Sequence, residues 1–152
     1  MSRLDELIQE YCPDGVEYRK LGDITTKITD GMHNLPKTAN TQGEYPVISA
    51  QNINNRMIDI NASKYVPLET YEKENARTDI RCGDILLTIV GALGRVAVVD
   101  FELKALFQRS VCVIKPVREC ITPKYLGYVL ESSTVQNYIQ INAHGAAQRG
   151  YI

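Results

Sequence analysis

The segment GDILLTIVGALGR, residues Gly83–Arg95, decides the fold, because it joins an unbroken apolar run to a turn of small residues. Asp84–Val90 and Arg95–Val99 are rich in Ile, Leu and Val, as buried strands are. Gly91–Gly94 links them with residues suited to a tight turn. The segment therefore predicts a β-hairpin. Its glycines would also let the backbone approach a ligand beside Arg95, but they lack the spacing of a dinucleotide-binding loop.

Around this hairpin, helices and strands follow one another in mixed order. Helix caps, turn residues and periodicity locate them. The predicted helices are residues 1–12 with Ser2 as cap, Pro67–Ala76, one that begins at Thr122–Pro123, and Thr134–Ile141. The predicted extended segments are Val16–Ile24, Val47–Ala50, Met57–Ile60, and a pair formed by Leu103–Gln108 and Val111–Lys115, with a long polar loop over 25–46. This order favours an α+β fold over a doubly wound sheet.

Length and composition fit one domain with its own core: 152 residues, 44% hydrophobic and 23% charged. The net charge of -1 excludes a strongly basic protein. The charge is unevenly distributed, since residues 1–76 carry eight Lys/Arg and twelve Asp/Glu, whereas residues 77–152 carry nine and six. The C-terminal half is therefore net positive, which either a local basic face or a chance asymmetry explains.

No pattern in the chain indicates catalysis, a metal or a cofactor. Nucleophile-elbow, phosphate-loop and zinc-protease motifs are absent, and His33 and His144 adjoin glycine-containing loops, where surface histidines are common. The four cysteines form no C-x-x-C pair, and we expect Cys82 and Cys112 to be buried free thiols. Because these motifs are missing, a non-enzymatic protein is expected. Since no signal peptide or membrane-spanning run occurs, we expect it to be cytoplasmic.

Several polar segments carry side chains suited to nucleic acid. Arginine pairs with guanine or phosphate in the major groove, and Gln and Asn pair with adenine. The same residues are ordinary in solvated turns, so each segment alone fits a surface loop as well. The candidates for DNA contact are His33, Asn34, Lys37, Gln51, Asn52, Arg95, Gln108, Arg109, Gln148 and Arg149.

The order of these segments resembles the specificity subunits of type I restriction–modification systems. LDELIQEYCPDGVEYRKLGDI resembles the start of such subunits, and DGMHN, YPVISAQNI, GDILLTIVGALGRVAVV, QRSVCVIKP and GAAQRGYI follow in the family's order. The resemblance covers essentially the whole chain. The positions that match family framework are Gly83, Asp84 and Ile85 at a strand opening, Gly91 and Gly94 in the turn, and Gly145, Gln148 and Arg149 in a Gly-small-x-Gln-basic loop.

The resemblance implies that residues 1–152 are one α+β target-recognition domain. It would have a twisted mixed β-sheet and a few flanking helices, and would lack the long spacer coiled-coil helix. Such a domain would read one half of a split site in double-stranded DNA for the modification (methyltransferase) and restriction subunits, with no cofactor of its own. The chain would be part of a longer subunit, or a half-size subunit that pairs with a copy of itself.

Two alternatives stay open at this point. In the first, the chain is a protein-interaction scaffold for assembly of a methyltransferase complex, and any contact with DNA is incidental. In the second, it is the recognition region of a single-chain restriction–methylation enzyme.

Overall fold

The computed structural model describes residues 1–143. Its main sheet has four antiparallel strands: β1 Thr25–Asp30, β6 Ile85–Thr88, β7 Val96–Val98 and β9 Val111–Pro116. Across the sheet their order is β1-β9-β6-β7. Strands β6 and β7 pair with Ile85 opposite Val98, so the hairpin predicted from Gly83–Arg95 is confirmed.

The main sheet is covered on both faces, which explains why every residue of β6 is buried. Side chains alternate between the faces of a strand. Leu86 and Val113 therefore pack with Phe107 on one face. Ile85 and Leu87 pack on the other face with Leu126 and Leu130 of the helix that follows β9. The apolar core therefore lies on both faces of the sheet, with β6 between its two halves.

A second, smaller sheet contains β2 Tyr45–Ile48 between β5 Tyr65–Val66 and β8 Leu106–Phe107. Strand β2 is antiparallel to β5 and parallel to β8. The predicted pairing of Leu103–Gln108 with Val111–Lys115 is therefore wrong, because the chain leaves one sheet after β8 and enters the other as β9. A two-residue turn joins the last two strands, β3 Ile53–Asn54 and β4 Met57–Ile58.

The prediction of a loop over 25–46 is wrong for its first six residues, which form β1, and for its last two, which begin β2. Strand β1 lies at the edge of the main sheet and pairs with β9 alone. Its polar residues are half-exposed or exposed, as an edge position permits. After β1, residues 31–44 contain no strand, although Met32 and Asn40 form isolated bridges.

Four helices complete the described part of the chain: α1 Arg3–Tyr11, α2 Leu68–Asn75, α3 Pro123–Glu131 and α4 Ser133–Ala143. The predicted caps are confirmed. The Asp5 amide donates to Ser2 Oγ at 3.2 Å, and the Tyr125 amide donates to Thr122 Oγ1 at 3.3 Å. Since α4, with 11 residues, is the longest helix within 1–143, no long spacer helix occurs there, and the mixed α and β content agrees with the predicted fold class.

Two further expectations need correction. The segment predicted as extended over Val16–Ile24 ends in a 3-10 turn at Leu21–Ile24. Cys82 is exposed, because it lies in the turn before β6, whereas Cys112 is buried within β9. Burial raises the pKa of the Cys112 thiol to about 12. No helix among residues 1–143 is long and apolar enough to span a membrane.

Candidate nucleic-acid interface

The candidate loops lie at one end of the two sheets. Strands β1, β2, β6 and β8 all end there, and β9 begins there. We call this end the loop edge and define it as residues 31–34, 49–52, 89–95 and 108–110. Its loops come from distant parts of the sequence and are joined by backbone hydrogen bonds and by the Ser110 side chain.

Loop 31–34 is bound directly to the end of β8. The Met32 amide donates to the Phe107 carbonyl at 2.7 Å, and the Arg109 amide donates to the Met32 carbonyl at 2.9 Å. Gly31 makes this approach possible, because a Cβ at that position would lie 2.2 Å from the Phe107 oxygen and 2.3 Å from the Gln108 oxygen. The glycine is therefore a packing requirement, and it brings His33 and Arg109 to the same edge.

Loop 49–52 meets loop 108–110 from the other side. The Gln108 amide donates to the Ile48 carbonyl at 2.9 Å, and the Ala50 amide donates to Ser110 Oγ at 3.0 Å. The Ser110 carbonyl accepts from the Ile89 amide at 3.0 Å, which ties in the end of β6. Ser110 thus connects three strands at the loop edge. Sequence reasoning missed it, since a serine after Gln-Arg carries no distinctive signal.

Asn52 is an anchor of its loop. Its side-chain oxygen accepts from the Ser49 amide at 3.0 Å and from Ser49 Oγ at 3.3 Å. Its side-chain nitrogen donates to the carbonyls of Asp59 at 3.0 Å and Asn61 at 3.1 Å. With 8% of its surface exposed, the residue has no free donor to offer a base. Its neighbour Gln51 is exposed.

Arg95 lies between loop 49–52 and the β6–β7 turn. Its amide donates to Thr88 Oγ1 at 2.8 Å. Its guanidinium reaches the carbonyls of Ala50 at 3.4 Å and Ile53 at 3.3 Å. These long contacts orient the side chain while most of its five donors stay free among the described residues.

A carboxylate positions His33. Asp30 Oδ2 lies 2.7 Å from His33 Nε2, and Asp30 Oδ1 accepts from Arg77 at 2.6 Å. Partial burial acts to raise the pKa of Asp30, but the hydrogen bonds from Arg77 and His33 outweigh it and the pKa is lowered. Asp30 therefore stays charged and holds both side chains. No pattern in the sequence points to Arg77, which lies 47 residues from Asp30 in the chain.

The predicted contact residues differ in accessibility. His33, Asn34, Gln51, Arg95 and Arg109 are exposed at the loop edge, Lys37 is exposed just beyond it, and Gln108 is half-buried. Asn52 is buried, as described above. Gln148 and Arg149 lie outside the described residues. Within 1–143, no group of three or more His, Cys, Asp or Glu side chains is placed to hold a metal ion.

Residues 13–149 match the family described as the type I restriction modification DNA specificity domain. The chain belongs to this family. The resemblance found in the sequence is thereby confirmed, and the family agrees with the expectation of a specificity module that is not itself an enzyme. A curated relative is the "Type I restriction enzyme EcoBI specificity subunit" of Escherichia coli, 29% identical over 103 residues, which are 68% of this chain and 22% of that protein.

Solved structures support the fold of this specificity domain. The HsdS subunit from Thermoanaerobacter tengcongensis superposes with a TM-score of 0.55 at 16% identity, over 83% of this chain and 32% of that one. A chain from a study of complex assembly and conformational transition of the type I R-M system gives 0.55 at 17% identity, over 84% and 31%. The domain thus spans about a third of each solved relative.

Proposed function

We propose that the specificity domain binds double-stranded DNA through the loop edge and reads one half of a split target there for a type I restriction–modification system. The observation that carries the proposal is the convergence of loops 31–34, 49–52 and 108–110. Each is a weak candidate alone, and backbone hydrogen bonds together with the bond from the Ala50 amide to Ser110 Oγ unite them at one edge. Membership of a DNA specificity family supports the same use.

The loop edge suits base reading because its backbone is fixed while its polar side chains are exposed. Arg109 and Gln51 reach base edges in the major groove, and His33 is held toward the same side by Asp30. Loops held by hydrogen bonds lose little conformational freedom on binding. Lys37, just outside the edge, contributes phosphate contact and register.

The wider roles rest on the family. In the whole protein, this domain would direct modification and restriction subunits to the bound site, with self-pairing if the subunit is half-size. Gln148 and Arg149 remain proposed DNA contacts. Mapping adenine methylation in a host that carries the intact system would give the target sequence and show whether this domain sets one half of it.

A direct test uses the 152-residue chain and duplexes that it selects from a random pool. Arg109→Ala should weaken binding to the selected duplex by about 1–3 kcal/mol, the range for one good base contact. The matched control is Arg81→Ala. That arginine is also exposed, with 73% of its side chain accessible, but it lies in the turn before β6, at the opposite end of the main sheet.

The two variants separate the loop edge from general charge. We expect Arg81→Ala to bind nearly as the parent does, because it removes the same charge from the far end. Equal losses for both variants, or selection of no duplex at low salt, would count against the proposal. The second result would favour the scaffold alternative.

A further inference from the structure

Next to the loop edge, the structure has an open cavity of about 640 Å³ with basic side chains at its rim. Its walls come from the β3–β4 turn, the start of β7 and the two C-terminal helices. The lining residues that matter here are Arg56, Arg95, Glu131 and Gln136. Two arginines and one glutamate leave one net positive charge. Arg95 also borders loop 49–52, so the cavity is continuous with the loop edge.

Arg56 is held in place from two sides. Its Nε donates to Glu131 Oε2 at 2.5 Å, and its guanidinium carbon lies 5.1 Å from the centre of the Tyr128 ring. The bond to Glu131 uses one edge of the guanidinium, and the Tyr128 ring covers one face. No other hydrogen bond of Arg56 occurs among the described side chains, so its terminal amino groups are available for an anion.

The backbone of Arg56 has a left-handed conformation, which costs a non-glycine residue conformational energy. Asn55 and Arg56 form the turn between β3 and β4 with φ of 50° and 63°. A two-residue turn with both φ values positive favours glycine at its second position. An arginine here is a strained choice, and such positions concentrate where a protein binds something. The hairpin would fold more easily with glycine.

Gln136 fixes the opposite wall. Its side-chain nitrogen donates to the Gly94 carbonyl at 2.9 Å and to the Leu130 carbonyl at 2.8 Å. A Cβ at Gly94 would lie 2.5 Å from Gln136 Oε1, so a side chain there would displace Gln136. The residue before Arg95 is therefore locked against α4. The Gln136 bond thus fixes the backbone beside Arg95, and the Glu131 pair holds Arg56 on the other side of the cavity.

We propose that the cavity between Arg56 and Arg95 binds one backbone phosphate of the DNA whose bases meet the loop edge. The inference rests on the proposed function and extends it with a sequence-independent contact. Guanidiniums bind phosphate oxygens through paired hydrogen bonds, and such contacts set register without reading bases. One net charge in a shallow cavity suits one phosphate that other contacts hold in position.

The test compares four proteins in DNA titrations between 50 and 200 mM salt: the parent chain, Arg56→Gly, Glu131→Gln and Arg109→Ala. Loss of one phosphate contact reduces the slope of log K against log salt by about 0.9. Over this fourfold range, the parent should lose about 3.5 times more affinity than Arg56→Gly. Arg56→Gly should weaken selected and unselected duplexes equally, whereas Arg109→Ala should weaken the selected duplex more.

Glu131→Gln distinguishes a phosphate site from a plain ion pair. Arg56→Gly and Glu131→Gln both remove the Arg56–Glu131 pair. If Arg56 only fastens the hairpin to α3, both variants change DNA affinity and its salt slope alike. If it binds phosphate, only Arg56→Gly reduces the slope by about 0.9, because Glu131→Gln leaves the guanidinium in the cavity. Thermal unfolding checks that each variant is folded, and glycine suits this turn.

Each failure has its own signature. If Arg56→Gly has the same salt slope as the parent chain while Arg109→Ala still binds the selected duplex weakly, the phosphate site is overturned and the proposed function stands. A parent chain that binds no duplex overturns both. Calorimetry with inorganic phosphate alone should show no saturation at micromolar concentrations. Saturation there would assign the cavity to a free anion and overturn the DNA contact.

Discussion

Replacing Asn52 with alanine should destabilise the domain by about 2–4 kcal/mol. The side chain makes four hydrogen bonds, at 3.0, 3.0, 3.1 and 3.3 Å. Each buried bond contributes about 1 kcal/mol net, and the carbonyls of Asp59 and Asn61 would lose a partner as well. The longest bond and the surface position of the loop hold the sum toward the lower end of the range.

The measurement is urea unfolding of the parent chain, Asn52→Ala and Gln51→Ala. With a slope of roughly 2 kcal/mol per molar urea, the midpoint of Asn52→Ala should fall by about 1–2 M. Gln51→Ala is the matched control, because its side chain is exposed and the change should stay within about 0.5 kcal/mol. Midpoints for the two variants that agree within error would refute this account of the loop.

The DNA affinity of the same two variants provides a second measurement. At a temperature where both variants are folded, Gln51→Ala should lose affinity for a selected duplex without losing stability. Asn52→Ala should lose both, because the loop that carries Gln51 is no longer held. Parent-level affinity in Asn52→Ala would show that the loop's shape does not matter for binding.

Three other predictions follow from single positions. Gly31→Ala should destabilise the domain by more than about 2 kcal/mol in thermal unfolding, because its Cβ would lie 2.2 Å from the Phe107 oxygen; an unchanged midpoint contradicts this. Cys112, with a pKa of about 12, should resist maleimide at pH 8 in the folded protein while Cys82 reacts, and equal rates would disprove its burial. Because the pKa of Asp30 is lowered, its charged carboxylate stabilises the fold at pH values above the unfolded pKa of about 3.9, and this stabilisation is lost as pH falls below it. The urea midpoint should therefore drop less steeply below about pH 4 in Asp30→Asn than in the parent chain.

The parts of the fold that sequence predicted well are those with local signals. Ser2 and Thr122 mark helix starts by a hydrogen bond within one turn, and the small residues after β6 mark a hairpin. Strand β1 was missed because an edge strand needs few apolar residues, and Ile28 is its sole large one. The partner of β8 was misassigned because β2, its parallel neighbour, lies more than 50 residues earlier in the chain.

The candidate site shows the same division. Residue types and turns identified the exposed donors, such as Arg109 and Gln51. Their convergence depends on strand pairing that no local pattern encodes. The sequence predicts Asn52 and its neighbour Gln51 alike as contacts because both are amides, and only burial separates them. Arg56 was overlooked because a turn between two-residue strands has little periodicity.

Positions 51 and 52 show how a new preference can evolve in such a domain. The shape of the loop depends on Asn52, whose side chain points its hydrogen bonds into the protein. The adjacent side chain is exposed and carries no part of that framework. If the loop edge reads DNA as proposed, a mutation at Gln51 therefore changes which bases the loop prefers in a single step, with the loop's shape inherited unchanged. Selection can explore new targets here without first repairing stability.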